Sequence, residues 1–295
     1  MQKEKRNHFR SHIGKRRISQ PAFFLKVFVL ILLHLRMGPV SLFSLDPDTA
    51  IDNYIIRVWS MRTGLPQDSV YAIVQDKDGY IWLGTDEGAV RSDGIRFDVF
   101  NRKNTKAIKN NSITTLFSAS DGMLWLGTLG GGITVYKDGN FINYNREHGL
   151  PSDFIWSITE DREKNIWIGT TGGGLTRFKD DEFTTYQKID GLANNIVKVV
   201  REDHEKKLWI GTEDGLTVMD NSKAKPVFKN FHVEDGLADN VITSIFEDSK
   251  KNLWIGTENG LNRRTNDTFY SYTRPGDFLT NNIVHAIHED KDKHL

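Results

Sequence analysis

The sequence predicts an all-β protein, a β-propeller of four-stranded blades. Three observations support this fold class. A motif of Trp, an aliphatic residue, Gly and Thr recurs five times. Its copies are 42 to 45 residues apart. Each repeat holds four short runs of β-branched and aromatic residues, separated by Asp, Asn and Gly turn signals. Four strands in a repeat of about 42 residues are typical of a propeller blade.

The tryptophan of each motif is the clearest marker of the repeat. The five are Trp82, Trp125, Trp167, Trp209 and Trp254. Burying a side chain of about 200 Å² at about 25 cal/mol/Å² stabilises a fold by roughly 5 kcal/mol before entropy. We therefore expect these side chains to be structural wedges between blades. An Asp or Asn stands fourteen residues before each tryptophan, and we expect it to tie its loop to the backbone.

The first complete repeat shows how the strands are arranged. We predict strand A at Val70–Gln75, strand B at Tyr80–Gly84, strand C at Ala89–Ser92 and strand D at Arg96–Phe100. The turn between strands A and B starts at an aspartate that can accept N–H groups of its own loop. This position is occupied by Asp76, Ala119, Asp161, Asp203 and Asp248 in the five repeats. No repeat has an apolar 3.6-residue period long enough for a helix, which disfavours a solenoid of β-α units.

Partial repeats flank the five complete ones. Strand D carries two aromatic residues three apart, and the spacing of Trp59 from Gly64 predicts a lone leading strand D at residues 54–59. A sixth repeat begins at residues 279–295, with a trailing strand A. We therefore expect residues 46–295 to be a truncated propeller, an incomplete and open seven-bladed ring. Bare end faces of such an arc predict that these 295 residues self-associate.

The first 45 residues differ in composition from the repeats. A basic stretch precedes the apolar run from Val27 to Leu35, which is interrupted only by His34. This pattern predicts a secretory signal peptide or an uncleaved N-terminal anchor, and an extracytoplasmic location for the rest. The formal net charge of +0 gives no global field to attract nucleic acid. The sequence has no cysteine, which excludes disulfides and thiolate chemistry.

The repeat resembles a known family. A Gly-Leu, an Asp or Asn, an apolar strand, an Asp turn, Trp-Ile/Leu-Gly-Thr and a further Gly are together similar to the two-component regulator propeller repeat, over about Tyr54 to Leu295. The resemblance implies an extracytoplasmic sensor for a small molecule or oligosaccharide. It also implies partner modules that are not in this sequence: a second propeller and a membrane-anchored kinase or cyclase output.

A ligand rarely has the symmetry of a ring, so its contacts are expected where the repeats differ. Eleven residues before each tryptophan the repeats vary widely, on the strand expected to be innermost. This variable column consists of Tyr71, Thr114, Trp156, Lys198, Thr243 and His285. Aromatic and cationic side chains suit stacking on sugars and pairing with carboxylates. We predict Tyr71, Trp156, Lys198 and His285 as ligand-binding residues, with local packing as the alternative interpretation.

Catalytic, metal and cofactor sites are not predicted. His285 and His288 are three apart, which places them on opposite faces of a strand. Asp76 and Asp78 lack the further oxygen ligands of a calcium loop. The segment from Ser118 to Trp125 is faintly similar to a sialidase Asp-box, which is itself a structural turn. Two alternatives to a sensor stay open: a carbohydrate-active propeller enzyme, lyase or hydrolase, and a propeller that only binds other proteins.

Overall fold

The computed structural model describes residues 58–222, 225–273 and 282–295. Within these ranges the chain forms twenty β-strands in five antiparallel four-stranded sheets, blades 1 to 5. The predicted all-β propeller with five complete blades is confirmed. The predicted signal or anchor at residues 1–45 lies outside the described residues. No helix in the described ranges is long and apolar enough to cross a membrane.

Each blade uses four consecutive strands in the order A, B, C, D. Blade 1 consists of β1 (Ala72–Gln75), β2 (Ile81–Thr85), β3 (Gly88–Ser92) and β4 (Phe97–Phe100). Blade 2 consists of β5 (Ile113–Ser118), β6 (Leu124–Thr128), β7 (Ile133–Lys137) and β8 (Asn140–Tyr144). Blade 3 consists of β9 (Ile155–Glu160), β10 (Ile166–Thr170), β11 (Leu175–Lys179) and β12 (Glu182–Tyr186).

The last two blades repeat the pattern. Blade 4 consists of β13 (Val197–Glu202), β14 (Leu208–Thr212), β15 (Gly215–Asp220) and β16 (Val227–Phe231). Blade 5 consists of β17 (Ile242–Glu247), β18 (Leu253–Thr257), β19 (Gly260–Thr265) and β20 (Thr268–Tyr272). Strand A of each blade packs against strand A of the next, so the A strands are innermost, as the sequence predicts.

Four of the five motif tryptophans lie between successive blades, and Trp254, in the last described blade, is partly buried. Trp82, Trp125, Trp167 and Trp209 are at most 2% exposed. Each joins a core cluster with aliphatic residues of the following blade. Trp167, for example, packs with Val197, Val200 and Ile210. The tryptophans therefore act as wedges, and each interface has its own apolar core.

The glycine of the motif permits the close approach of neighbouring blades. A Cβ atom on Gly84 would lie 2.8 Å from the carbonyl oxygen of Ile113, on strand A of the next blade. A Cβ on Gly169 would be equally close to the carbonyl oxygen of Val197. The threonine that follows closes the B–C turn, as when the Thr85 hydroxyl donates to the Gly88 carbonyl at 2.8 Å.

The Asp or Asn before each strand A ties its loop to the backbone, as expected. The Asp153 carboxylate accepts the Arg146 N–H at 2.9 Å, and Asn195 accepts the Lys188 N–H at 2.7 Å. Asp68, Asn111 and Asn240 accept an N–H in the same way. In four of these five loops the accepted N–H starts a single-turn 3-10 helix. This residue type is therefore explained by the fold.

The aspartate of the A–B turn accepts N–H groups of its own loop, as predicted, and also an indole N–H, which was not predicted. One oxygen of Asp161 accepts the N–H groups of Glu163 and Asn165, both at 2.9 Å. The other accepts the indole N–H of Trp167 at 2.7 Å. Three further blades repeat this indole bond at 2.7 to 2.9 Å. Blade 2 has Ala119 instead, and the buried indole N–H of Trp125 has no hydrogen-bond partner among the described residues.

A glutamate links the A–B turns of blades 2, 3, 4 and 5 to the following repeat. Glu160 of blade 3 accepts the N–H and hydroxyl of Ser120 in blade 2, at 3.0 and 2.7 Å. Glu202, Glu247 and Glu289 accept equivalent turn N–H groups from blades 3, 4 and 5. These links were also missed, because they join residues about 40 positions apart.

The flanking partial repeats differ from the prediction in secondary structure. The ring centroids of Trp59 and Phe97 are 5.3 Å apart, close to the 5.1 Å between Phe100 and Phe141, so Trp59 packs where a strand D aromatic belongs. However, Val58 and Trp59 are not in a strand, and residues 54–57 lie outside the described ranges. Residues 282–290 also form no strand. The Val284 N–H donates to the Thr257 carbonyl at 3.1 Å, but the described residues offer this segment no strand B of its own.

Candidate functional site

The variable column lies at one end of the blades, beside the B–C turns. Antiparallel pairing brings the start of strand A next to the end of strand B, as in the pairing of Ala72 with Gly84. The first residue of four B–C turns also donates its N–H to the chain just before strand A. We call the surface formed by the column and the turn residues Asp86, Leu129, Thr171, Glu213 and Glu258 the mouth.

Tyr71 is tied to a carboxylate of its own blade. Its hydroxyl donates to Asp86 at 2.6 Å, and the Ser112 hydroxyl donates to the other oxygen of Asp86 at 2.6 Å. Hydrogen bonds from Ser112 and Tyr71 hold the pKa of Asp86 below its usual value, and the same contact raises the pKa of Tyr71. Asp86 therefore stays ionised at neutral pH. The Tyr71 side chain is 56% exposed, so its ring is accessible although its hydroxyl is occupied.

Trp156 presents an oriented aromatic ring to solvent. Its indole N–H donates to the Thr171 hydroxyl at 2.6 Å, while 42% of the residue is exposed. Phe154 is 47% exposed and pairs with Leu129, which is 41% exposed, through an isolated β-bridge. Blades 2 and 3 thus contribute an apolar sector of the mouth, with glycine-rich B–C turns that place no carboxylate beside the aromatic rings.

Lys198 lies between two carboxylates. Its ammonium is 3.4 Å from Glu213, in the B–C turn of its own blade, and 3.5 Å from Glu258, in the B–C turn of blade 5. The Lys198 side chain is 20% exposed, whereas the two glutamates are 41% and 51% exposed. Because strands β9 and β13 pack together, Trp156 and Lys198 occupy neighbouring places in the mouth.

The other members of the column divide into structural and exposed residues. The Thr114 hydroxyl donates to the Ile155 carbonyl of the next blade at 2.6 Å. Thr243 donates in the same way to the Val284 carbonyl. The hydroxyl groups of both threonines are thus occupied by backbone carbonyls and offer little to a ligand. His285 is exposed beyond blade 5.

The turn residues of the mouth were missed in the sequence. Asp86, Leu129, Thr171, Glu213 and Glu258 stand four residues after the motif tryptophans and vary as much as the column does. A comparison of both positions could have found them. Only the structure shows that they contact the column directly, at Tyr71, Trp156 and Lys198.

The other sequence motifs have structural uses. Asp76 accepts the N–H groups of Asp78 and Tyr80 with one oxygen and the Trp82 indole with the other, so its acceptors are already occupied. In the segment that is faintly similar to an Asp-box, Asp121 accepts the Met123 N–H at 2.9 Å, as a turn residue does. His288 is exposed and contacts the ring of Phe246.

A family model described as two component regulator propeller matches four segments of the chain. They are residues 64–87, 107–130, 149–172 and 236–259, each running from the D–A loop into a B–C turn. Blades 1, 2, 3 and 5 are therefore similar to this repeat over the matched segments. Blade 4 lies outside the matched segments but has the same strand order and the same indole bond as its neighbours. No curated protein matches the sequence.

Solved structures with similar folds include the extracellular domain of a protein from B. thetaiotaomicron described as a hybrid two component system. It shares 22% identity and a TM-score of 0.56, over 81% of this chain and 40% of that one. A B. thetaiotaomicron extracellular domain described as part of a one component system shares 21% identity and a TM-score of 0.60, over 72% of this chain and 32% of that one. Virginiamycin B lyase from Staphylococcus aureus shares 16% identity and a TM-score of 0.55, over 70% of each chain. At these identities the likeness shows the propeller fold, and this chain spans 32 to 40% of the length of these extracellular domains.

Proposed function

We propose that this chain is the propeller part of an extracytoplasmic sensor, and that its mouth binds a small ligand or glycan. The observation that carries the proposal is the exposed ring of Trp156, held in one orientation by its bond to Thr171. The two-component regulator propeller repeats and the similar extracellular domains support the sensor role. The downstream partner in this proposal is a membrane-anchored output module.

A fixed aromatic ring favours a sugar ligand. Pyranose rings have apolar faces that cover an indole, while their hydroxyl groups need hydrogen-bond acceptors at the edge. The mouth offers Trp156 for the face, and Glu213 and Glu258 for the hydroxyl groups. Covering about 100 Å² of apolar surface contributes about 2.5 kcal/mol, which is roughly a 60-fold change in affinity.

A second function is compatible with the fold. The lyase from Staphylococcus aureus has a similar fold, so the fold alone does not separate a sensor from an enzyme. A sensor binds its ligand and releases it unchanged, whereas a lyase or hydrolase shortens an oligosaccharide. The same experiment can therefore test both functions.

The test is to screen the full chain on an array of plant and host oligosaccharides, and to measure the affinity of the best binder by calorimetry. Trp156→Ala is expected to weaken binding at least tenfold because it removes the stacking surface. Thr114→Val is the matched control, since Thr114 belongs to the same column but bonds to the next blade. Binding that survives Trp156→Ala unchanged would refute the site. Shortened products after incubation would favour the enzyme.

A further inference from the structure

Lys198 was expected to pair with carboxylates of a ligand, but two carboxylates of the protein already lie beside its ammonium. Glu213 and Glu258 approach its ammonium from two different blades, at 3.4 and 3.5 Å. One cation between two carboxylates leaves a local charge of −1. Because each glutamate is more exposed than the lysine, an approaching ligand meets negative charge first.

Asp214 adds a third carboxylate to the sector beside Trp156. The B–C turns of blades 4 and 5 thus carry Glu213, Asp214 and Glu258, whereas those of blades 2 and 3 carry glycines and no charged residue. A ligand stacked on Trp156 therefore has an apolar surface on one side and carboxylates on the other. Like charges at contact distance repel, and the repulsion is stronger where the surroundings exclude water.

We infer that Glu213, Lys198 and Glu258 determine ligand specificity by rejecting anionic glycans, so that the ligand is a neutral or amino-sugar oligosaccharide. The inference rests on the proposed function, since it concerns the same site. It assigns Lys198 the role of a counter-ion that keeps the two carboxylates together. The glutamate carboxylates accept hydrogen bonds from hydroxyl or ammonium groups of the sugar.

This arrangement makes a gain of function testable. Replacing both glutamates with glutamine keeps their size and removes their charge, so the local charge changes from −1 to +1. Lys198 is then the charge that a ligand meets. The variant Glu213→Gln/Glu258→Gln is therefore expected to accept sugar acids that the wild-type chain rejects.

The probes are oligogalacturonates and the same oligosaccharides with their carboxylates methyl-esterified, because the ester keeps the sugar backbone and removes the charge with the addition of one methyl group. Both are measured by calorimetry at low salt, together with the best neutral or amino-sugar binder from the array. The wild-type chain is expected to bind the methyl ester at least tenfold more tightly than the acid. The double glutamine variant is expected to bind the acid at least tenfold more tightly than the wild-type chain does. Lys198→Met in the double variant is the control and is expected to cancel the gain.

The outcomes separate the two proposals. If the wild-type chain binds the acid as well as the ester, or if the double variant gains no affinity for the acid, the specificity inference is wrong while sugar binding stands. If no oligosaccharide on the array binds, or if Trp156→Ala leaves the affinity of the best binder unchanged, the proposed function fails and the inference fails with it.

Discussion

The indole of Trp125 gives the clearest test of how these blades are stabilised. Trp125 is 2% exposed, and its N–H is buried without a hydrogen-bond partner. In blades 3 and 5 the corresponding indole donates to an aspartate that also accepts an asparagine side chain, as Asp161 does from Asn165 at 2.6 Å. Blade 2 has Ala119 and Met123 at these positions. We predict that Ala119→Asp/Met123→Asn stabilises the protein.

The magnitude follows from the bonds restored. A hydrogen bond to a charged acceptor contributes about 1.5–3 kcal/mol, and here it also satisfies a buried donor. Moving a carboxylate into a site where Ala119 is 5% exposed offsets part of that gain. We expect a net gain of about 1–2 kcal/mol in the free energy of unfolding. For a protein of this size that corresponds to a rise in Tm of roughly 2–4 °C.

The assay is urea unfolding of the full chain, with tryptophan fluorescence as the signal that monitors it. Ala119→Asn is the matched control: it supplies an acceptor without charge, and a gain below about 1 kcal/mol is expected. Asp161→Ala tests the reverse, because it leaves the Trp167 indole and the Asn165 amide without their shared acceptor. A loss of about 2–4 kcal/mol is expected. If the double variant is no more stable than wild type while Asp161→Ala is strongly destabilised, the unpaired indole is not a stability defect.

Three further predictions concern other bonds of the fold. Burial raises the pKa of Asp248, but hydrogen bonds from Asn252 and Trp254 outweigh it and hold the pKa below its ordinary 3.8. Its stabilisation is present above that value and lost as pH falls through the lower folded pKa, so urea unfolding of Asp248→Asn is expected to depend less on pH below about 4. Glu160→Ala removes two bonds to Ser120 and is expected to cost about 1–2 kcal/mol, with Ser120→Ala costing less. Thr114→Val, which loses the bond to Ile155, is expected to lower Tm by a few degrees.

Much of the fold could be predicted because each blade repeats the same physical requirements. The tryptophan, the close-approach glycine and the turn aspartate recur at fixed spacing, and each has one local reason in the structure. Strand ends predicted in blade 1 agree with the observed ends within one or two residues. Inter-blade bonds such as Glu160 to Ser120 could not be predicted, because they depend on how two blades sit together.

Only part of the surroundings of the candidate site could be predicted from the sequence. Variation between repeats selects Tyr71 and Trp156, which are exposed, but also Thr114 and Thr243, whose hydroxyl groups bond to the backbone carbonyls of Ile155 and Val284. It did not reveal that Lys198 lies between Glu213 and Glu258. Sequence order hides that contact, because Lys198 and Glu258 are 60 residues apart and meet only when strand A of blade 4 lies beside the B–C turn of blade 5.

Two criteria select residues for the proposed ligand: the residue type differs between repeats, and part of the side chain has no contact within the protein. Asp161 recurs in most blades, and its two oxygens are filled by the turn and the indole, so it has nothing to offer a ligand. Thr114 stands at a position that differs between repeats, but its hydroxyl is bonded to a backbone carbonyl. Trp156 stands at the same repeat position, and its N–H bond to Thr171 fixes a ring that is exposed. The part of Trp156 that the fold leaves uncovered is an apolar face, and this is the surface that the ligand of our proposal would cover.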